Sequence, residues 1–274
     1  MINQIETVTF SPTGQTKGLV ETMGRILSKQ LDVPLTYTDF TLPENQSTPH
    51  YYGPRTLVLF SMPTYAGRLP NKVLPLLQTL FKADEAPTVA LVSFGNRSYD
   101  SSLTELRNEL AKKKFLVFAA GAFPMPHAFA DIGSSHPTPD DWSAFDELVK
   151  GILDALSQED PLHQVVIKGD APVAPYYIPK KEDGQPAKFL KVKPKTDPLK
   201  CDHCGLCARV CPMGSISASN TDEVPGICIK CQACIRYCPR KAKYFDDPDF
   251  LSHKAMLESN YQELAKSEIF LPNK

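Results

Sequence analysis

The sequence predicts two folded units: an α/β domain built on a doubly wound, five-stranded parallel sheet, and a smaller α+β domain rich in cysteine. Two observations lead to this prediction. Apolar, strand-like segments alternate with segments of helical period over residues 1–160, which is the pattern of parallel strands covered by helices. All eight cysteines follow residue 200. A chain of 274 residues, 42% hydrophobic and 22% charged, has room for about two domains.

The first unit is interpreted as five strands that alternate with helical segments. The predicted strands are IETVTF, PLTYTDF, TLVLFSMP, TVALVSFG and FLVFAAGAF. The predicted helices are KGLVETMGRILSKQL, NKVLPLLQTLF, SSLTELRNELAKKK and DDWSAFDELVKGILDAL. Residues 56–62, 88–94 and 115–123 are continuously apolar, as expected of strands that are buried on both faces of a parallel sheet.

Three loops lie at the carboxyl ends of predicted strands, where doubly wound sheets bind ligands. The first loop, Ser11-Pro12-Thr13-Gly14-Gln15-Thr16, offers hydroxyl groups and a glycine that allows close backbone approach. It also opens the first predicted helix, whose unpaired N–H groups favour an anion. We expect this loop to bind a phosphate group; a glycine and threonine turn that serves only as a helix cap is the alternative.

The second and third loops carry aromatic side chains beside small residues. The second loop contains Pro63, Thr64, Tyr65, Ala66 and Gly67. The third loop contains Gly95, Asn96, Arg97 and Tyr99. Because each loop follows a strand of the predicted parallel sheet, we expect all three loops at the same edge.

These loops resemble the flavin mononucleotide (FMN) site of flavodoxins, in which the first loop binds the phosphate and the other two flank the isoalloxazine ring. The resemblance implies phosphate contacts from Ser11, Thr13, Gly14, Gln15 and Thr16. It implies that the ring lies against Tyr65 or Tyr99, and that its polar edge meets backbone groups of Ala66, Gly67, Gly95 and Asn96. The TYAG sequence departs from short-chain flavodoxins and leaves open which group contacts the flavin N5. Without a G-x-G-x-x-G turn, a nicotinamide cofactor is not expected.

The cysteines form two runs, CDHCGLCARVCP at 201–212 and CIKCQACIRYCP at 228–239. Disulfide bonds persist mainly in oxidising compartments, and the N-terminal sequence MINQIETVTF lacks the pattern of a secretion signal. Structural zinc sites use CxxC pairs separated by a longer loop. Both runs instead have the spacing C-x2-C-x2-C-x3-C-P, which binds [4Fe–4S] clusters. The spacing therefore favours two clusters over disulfides or zinc.

In chains with two such runs, the fourth cysteine of each run binds the other cluster. Cluster one is therefore assigned Cys201, Cys204, Cys207 and Cys238. Cluster two is assigned Cys228, Cys231, Cys234 and Cys211. Residues 198–246 resemble the bacterial two-cluster ferredoxin. Prolines 212 and 239 should end the short helices after the crossing cysteines. Ordinary packing is expected of Ile216, Ile229, Ile235 and Tyr237, and their apolar shell would also keep water from the clusters.

The remaining segments connect and follow the two units. Residues 161–197 are rich in proline and lysine and are expected to form a linking arm with a β-hairpin that turns at Asp183 and Gly184; a flexible tether is the alternative. Residues 247–274 are expected to form a C-terminal helix. The order of a flavodoxin-like domain, this arm, the paired cysteine runs and the segment YFDDPDFLSH resembles the bacterial family of fused flavodoxin and ferredoxin proteins.

Charge is distributed unevenly along the chain. Residues 176–245 hold thirteen Lys and Arg against six Asp and Glu, whereas residues 1–160 hold thirteen against eighteen. One interpretation is a solvated basic face. The basic excess would also offset the negative charge of thiolate-bound clusters, favour their reduced state, and attract the acidic first domain.

The predicted cofactors, two [4Fe–4S] clusters and FMN, imply an electron-transfer function. In one interpretation the protein is a carrier that passes low-potential electrons between the clusters, FMN and external redox proteins, such as ferredoxin-linked oxidoreductases or reductases. In the other, FMN reduces a small-molecule acceptor, and His127 or His136 donates a proton. We expect a cytoplasmic protein of anaerobic metabolism with no nucleic-acid partner. No apolar run reaches the length of a membrane span.

Overall fold

The computed structural model describes residues 1–167 and 172–272. Its strands, in chain order, are β1 (Gln4–Thr9), β2 (Leu35–Asp39), β3 (His50–Tyr52), β4 (Thr56–Pro63), β5 (Phe81–Ala83), β6 (Ala86–Phe94), β7 (Phe115–Pro124), β8 (Lys195–Thr196), β9 (Lys243–Tyr244) and β10 (Glu268–Phe270).

The helices, in chain order, are α1 (Gln15–Leu31), α2 (Leu74–Leu80), α3 (Ser102–Lys112), α4 (Pro139–Ser157), α5 (Leu206–Arg209), α6 (Ala233–Arg236) and α7 (Pro248–Asn260). A 3-10 turn, Pro43–Asn45, follows β2. Within the described ranges, no helix combines the length and the apolar character needed to cross a membrane.

The main sheet has the order β10-β7-β6-β4-β1-β2. Its five parallel strands run in the order 2-1-3-4-5 when they are counted along the chain, which is the flavodoxin-like doubly wound arrangement. The predicted fold class is therefore confirmed. The winding direction reverses between β1 and β4, and the loops that follow these two strands consequently flank the switch point at which such sheets bind ligands.

Apolar clusters cover both faces of this sheet. On one face the buried side chains of α2 and α3, including Leu77, Leu106 and Leu110, pack against the strands. On the other face α1 and α4 contribute Met23 and Leu148 among others. All nine residues of β6 are buried. The continuously apolar strands of the sequence are thus the strands that are covered twice.

The segment NKVLPLLQTLF is helical over fewer residues than the sequence predicts. The helix begins only at Leu74, because a turn that starts at Pro70 precedes it. The Pro70 carbonyl accepts the N–H groups of Val73 and Leu74. Pro75 is tolerated in the first helical turn, where its missing N–H has no partner to lose. Phe81 leaves the helix and starts β5, which pairs in parallel with β3 in a separate two-stranded sheet.

The C-terminal segment differs from the expected helix over residues 247–274. Helix α7 ends at Asn260, and the chain then returns to the first domain as β10. Antiparallel pairing joins Glu268 to Ala122 and Phe270 to Ala120 on β7. Residues 273–274 lie outside the described part. Local pattern did not reveal β10, because a three-residue strand gains its stability from the exposed sheet edge that it covers.

The arm expected at residues 161–197 lies along the first domain. Val165 and Ile167 are buried in its apolar core, and the Val165 N–H donates to the Val117 carbonyl at 2.7 Å. Residues 168–171 lie outside the described part. Beyond them, the Tyr176 hydroxyl donates to the Leu69 carbonyl at 2.8 Å. The described part of the arm therefore packs against the first domain and is not a flexible tether.

The turn expected at Asp183 and Gly184 is present, but the ladder beside it is short. Gly184 has a φ of +81°, and the Lys181 N–H donates to the Gln185 carbonyl at 2.8 Å. A single bridge pairs Lys180 with Pro186. Proline supplies no N–H to a strand ladder, so the pairing stops after one bridge.

An aromatic hub joins the separate parts of the chain. We define it as Phe129, Phe189, Phe245 and Phe250. The ring of Phe250, on α7, lies 4.9 Å from Phe129, 5.4 Å from Phe189 and 4.7 Å from Phe245 between centroids. These partners come from the first domain, the arm and the end of the cysteine-rich segment. Burial of one side chain on α7 therefore holds three regions together.

We expect Phe250→Ala to lower the free energy of unfolding by about 3–5 kcal/mol, because the substitution leaves a cavity among three aromatic rings. The measurement is the shift of the urea unfolding midpoint. Leu251→Ala is the control: Leu251 is adjacent in sequence and 45% exposed, and its loss should cost about 0.5 kcal/mol or less. Equal shifts for the two variants would contradict the role of the hub.

Candidate functional site

The eight cysteines lie around two separate cavities. Cavity one is lined by Cys201, Cys204, Cys207 and Cys238. Cavity two is lined by Cys211, Cys228, Cys231 and Cys234. Each cavity therefore takes three cysteines from one run and the last cysteine of the other run. Among the described residues, no three His, Cys, Asp or Glu side chains are placed to hold a single metal ion.

Short helices and left-handed turns direct the cysteines into the cavities. Gly205 and Gln232 have φ values of +72° and +67° at the N-caps of α5 and α6. The chain therefore reverses between the second and third cysteine of each run. Backbone N–H groups then donate to sulfur: that of Ser215 to Cys211 Sγ at 3.3 Å, and that of Ala242 to Cys238 Sγ at 3.2 Å. Such donors stabilise charge on sulfur.

The thiols fit a metal cluster better than they fit a cavity without metal. Burial raises the pKa of Cys234 to about 12, and it also raises the pKa of Cys228 and Cys231. A thiolate at these positions is costly unless a metal compensates its charge. Two cavities with four cysteines each match the donor set of two [4Fe–4S] clusters.

The shell around the cavities differs in part from expectation. Ile216 and Ile229 line cavity two. Ile229 also packs against the apolar core of the first domain. Ile235 is half-buried, whereas Tyr237 is 40% exposed and lies toward the first domain. Ile235 and Tyr237 line neither cavity, so the expected apolar shell is formed only in part.

In the first loop, Gly14 adopts a left-handed backbone with φ +82° and directly precedes α1. This conformation favours glycine and leaves the first N–H groups of a 17-residue helix without intrahelical acceptors. Thr13 and Gln15 are half-buried beside it. The Gln15 side chain donates to the Pro126 carbonyl at 3.1 Å. The turn therefore presents backbone donors, as a phosphate group requires.

The hydroxyl groups of Ser11 and Thr16 form hydrogen bonds that support the first loop from the protein interior. Ser11 Oγ accepts the Lys17 N–H at 3.0 Å, and its own N–H donates to the Thr41 hydroxyl at 2.8 Å. The Thr16 hydroxyl is hydrogen-bonded to the Ser93 hydroxyl at 2.7 Å. Both side chains are buried, so their present contacts hold the loop against β6 and the segment that follows β2.

The second loop is a tight turn. Tyr65 and Arg68 exchange backbone hydrogen bonds of 2.8 and 3.1 Å, and the two residues between them, Ala66 and Gly67, have φ values of +50° and +74°. A side chain at Gly67 would meet the Asp100 carboxylate. Pro63 ends β4, and the Thr64 hydroxyl is hydrogen-bonded to Ser102 at 2.6 Å.

The third loop is fixed by the C-terminal segment. The Asn96 amide donates to the Tyr261 carbonyl at 2.8 Å and to the Glu263 carbonyl at 3.0 Å, and its oxygen accepts the Ala265 N–H at 3.0 Å. His136 Nε2 lies 2.9 Å from the same oxygen. The Asn96 side chain is thus fully occupied, and its structural role was missed because these partners lie far away in sequence.

Arg97 and Tyr99 are directed toward other parts of the protein. The Arg97 guanidinium pairs with Asp100 and lies 4.1 Å from the Tyr177 ring centroid. Tyr99 packs against Phe94 at 5.5 Å, and burial together with a hydrogen bond to Glu268 raises its pKa. The arm and β10 therefore hold both side chains.

The two histidines named as proton donors are both engaged. Burial, with the nearby charges of His253 and Arg97, lowers the pKa of His127 to about 4. Its Nδ1 accepts the Ala130 N–H at 3.1 Å. His136 Nδ1 lies 2.6 Å from Asp141 Oδ2. Although burial opposes the charge, hydrogen bonds to the carboxylate lower the pKa of Asp141. His127 Nδ1 and both ring nitrogens of His136 are therefore occupied by contacts within the protein.

Cavity two lies on the side of the cysteine-rich segment that faces the first domain. The Gln46 side chain donates to the Pro212 carbonyl at 3.0 Å. The Tyr237 hydroxyl lies beside the first loop, where a Cβ at Gly14 would be 3.1 Å from it. Burial, and then the charges of Cys231 and Cys228, raises the pKa of Tyr65 well above its usual value. The first two loops thus meet the cysteine-rich segment.

Comparisons with known proteins agree with this division. A family model described as a 4Fe-4S binding domain matches residues 194–217, and a second model with the same description matches residues 225–244. No curated protein matches the chain in sequence.

Solved structures align with the first domain. A flavodoxin from the domain Archaea is 12% identical and covers 58% of this chain and 100% of its own, with a TM-score of 0.37. A short-chain flavodoxin associated with a non-canonical PDU bacterial microcompartment is 12% identical. It covers 57% of this chain and 100% of its own, with a TM-score of 0.39. Rubredoxin oxygen:oxidoreductase from the anaerobe Desulfovibrio gigas is 13% identical. The alignment covers 57% of this chain and 37% of that protein, with a TM-score of 0.39.

These scores are low, so the fold assignment rests on the strand order of the sheet itself. The assignment of the cysteine-rich segment rests on the two family-model matches. The chain combines a flavodoxin-like α/β domain with a C-terminal segment that carries two 4Fe-4S binding domains of the ferredoxin type.

Proposed function

We propose that this protein transfers electrons between two [4Fe–4S] clusters and FMN within one chain, and exchanges them with external redox proteins. The observation that carries the proposal is the pair of four-cysteine cavities, one of which faces the first two flavodoxin-like loops. Clusters exchange single electrons and flavin holds one or two, so this combination serves as a relay with a small store.

In this proposal, cavity one holds cluster one and cavity two holds cluster two. The crossed cysteine sets support two clusters rather than one, because each set is complete. Three cysteines from one run with the crossing cysteine of the other match the ligand pattern of two-cluster ferredoxins. The backbone donors to Cys211 and Cys238 would stabilise the bound state.

FMN is proposed at the switch point of the first domain. The left-handed turn at Gly14 would expose the N–H groups of Gln15 and Thr16 to its phosphate, with the Thr13 and Gln15 side chains beside it. Of the two candidate tyrosines, we favour Tyr65 against the ring, because Tyr99 is already held by Phe94 and Glu268. Backbone groups at Ala66 and Gly67 would then meet the ring edge.

The carrier function is preferred over a reductase that acts on a small molecule. The reductase hypothesis used His127 or His136 as a proton donor, and the contacts of both histidines give it no support. A carrier needs only that cofactors lie near a surface that a partner can reach. Cys204, a proposed ligand of cluster one, is exposed. We therefore propose that external partners exchange electrons at cluster one and that cluster two faces the flavin.

Anaerobically purified protein should contain about eight iron and eight sulfide per chain, as two clusters require.

Cys238→Ala should lose the same cluster signal as Cys201→Ala, and Cys211→Ala should lose the same signal as Cys228→Ala. Electron paramagnetic resonance of the reduced variants distinguishes the two groups. Variants that group by sequence run would overturn the ligand assignment. Recovery of zinc without sulfide would overturn the clusters themselves.

The double variant Thr13→Ala with Gly14→Val should bind FMN about 100-fold more weakly or worse, since it removes a phosphate donor and strains the left-handed turn. Flavin fluorescence gives the dissociation constant, and iron content shows that both clusters remain. The matched control is Gly18→Ala, because Gly18 lies one turn along α1 with no atom within 4 Å of an added Cβ. FMN binding as tight in the double variant as in the control would show that another loop holds the phosphate.

A further inference from the structure

A buried lysine lines cavity one without a carboxylate partner. Lys243 is 3% exposed. Its ammonium donates to the Thr196 hydroxyl at 2.6 Å and to the Thr221 carbonyl. In the described part of the chain, no Asp or Glu forms an ion pair with it. Buried charges in proteins are normally paired, so the Lys243 ammonium calls for a negative charge that the described carboxylates do not supply.

A second polar group lines the same cavity without a partner. The Thr221 hydroxyl oxygen is buried and has no hydrogen-bond partner in the protein. Leaving a buried hydroxyl unpaired is costly, and a bound ion, a water or a redox role is the usual explanation of such a group in a native protein. Lys243 and Thr221 thus present an ammonium and a hydroxyl to one cavity, where both can act as donors.

Lys243 occupies a position at which the two cysteine runs differ. It follows the crossing cysteine Cys238 by five residues, just as Ile216 follows Cys211. Ile216 lines cavity two, whereas Lys243 lines cavity one. The equivalent position therefore carries an apolar side chain in one cavity and a cation in the other.

Lys230 also lines cavity two, but in a different position. It is half-buried, and its ammonium donates to the carbonyls of Leu190 at 2.6 Å and Cys228 at 3.2 Å. Each cavity therefore has one lysine, taken from non-equivalent positions of the two runs. Arg240 also lines cavity one, but it is paired with Asp202. The charge of Lys243 also acts on Cys234 of cavity two, so the two lysines are distinguished by which cluster shifts more.

We propose that Lys243 and Thr221 set the reduction potential of cluster one, with the anionic cluster as the counter-charge of the buried ammonium. The inference rests on the proposed cluster function. Reduction adds one electron to a cluster that is already anionic, so a nearby fixed cation stabilises the reduced form more than the oxidised form. A hydroxyl donor to a cluster sulfur acts in the same direction.

The test is a redox titration of the anaerobic, full-length protein, with each cluster followed by electron paramagnetic resonance. Lys243→Met should lower the reduction equilibrium constant of one cluster by about tenfold or more, which corresponds to about 59 mV for one electron. Thr221→Val should shift the same cluster in the same direction by a smaller amount. Lys243→Met should shift the second cluster less than the first, whereas Lys230→Met should shift mainly the second cluster.

Lys241→Asn is the matched control, because Lys241 is an exposed cation two residues away; its loss should leave both midpoints close to those of the unmodified protein. If Lys243→Met fails to load its clusters, Lys243→Arg and Thr221→Val decide: Arg should preserve the midpoint and Val should lower it. Unchanged midpoints in Lys243→Met or Thr221→Val protein that holds about eight irons would overturn the inference. Absence of iron and sulfide from the unmodified protein would instead overturn the proposed function.

Discussion

The aromatic contacts of Phe250 connect parts of the chain that are otherwise far apart in sequence. Phe129 follows the last parallel strand, Phe189 belongs to the arm, and Phe245 ends the cysteine-rich segment. Phe245 also lines cavity two. A ring that packs in the hub therefore forms part of a proposed cluster site. Because dense aromatic packing tolerates little displacement, the hub constrains how the cysteine-rich segment meets the flavodoxin-like domain.

The segment after α7 extends this constraint to the ligand-binding edge of the sheet. It passes Asn96, whose side chain holds the carbonyls of Tyr261 and Glu263, and then pairs with β7 as β10. Ser267 donates to Asp141 Oδ1 at 2.7 Å at the start of α4. The end of the chain thereby buttresses the third loop, which in a doubly wound fold borders the ligand crevice. The two units consequently share elements and do not simply follow one another.

The two cavities differ in their surroundings although the repeat makes their cysteines equivalent. Cavity two has Ile216 and Ile229 in its wall together with the half-buried Lys230, and it faces the first domain, near Tyr65 and the first loop. Cavity one has Lys243 and Thr221 in its wall and an exposed cysteine at its edge. Duplicated ligands with different neighbours would allow the two proposed clusters to take different potentials. This asymmetry suits a relay that has one internal and one external end.

The sequence alone was sufficient for the parallel strands, the doubly wound class and the two cysteine runs. These features depend on local periodicity and fixed spacing, which single segments carry within themselves. The tertiary structure decided the sixth strand, the engagement of Asn96 by residues 261–265, the position of Tyr237 beside Gly14 and the burial of Lys243. Each of these depends on a partner brought close by folding: a sheet edge, a distant carbonyl or a cavity wall. A lysine in a basic stretch looks like a solvated side chain until the fold encloses it, because burial is a property of the packed chain and not of its local pattern.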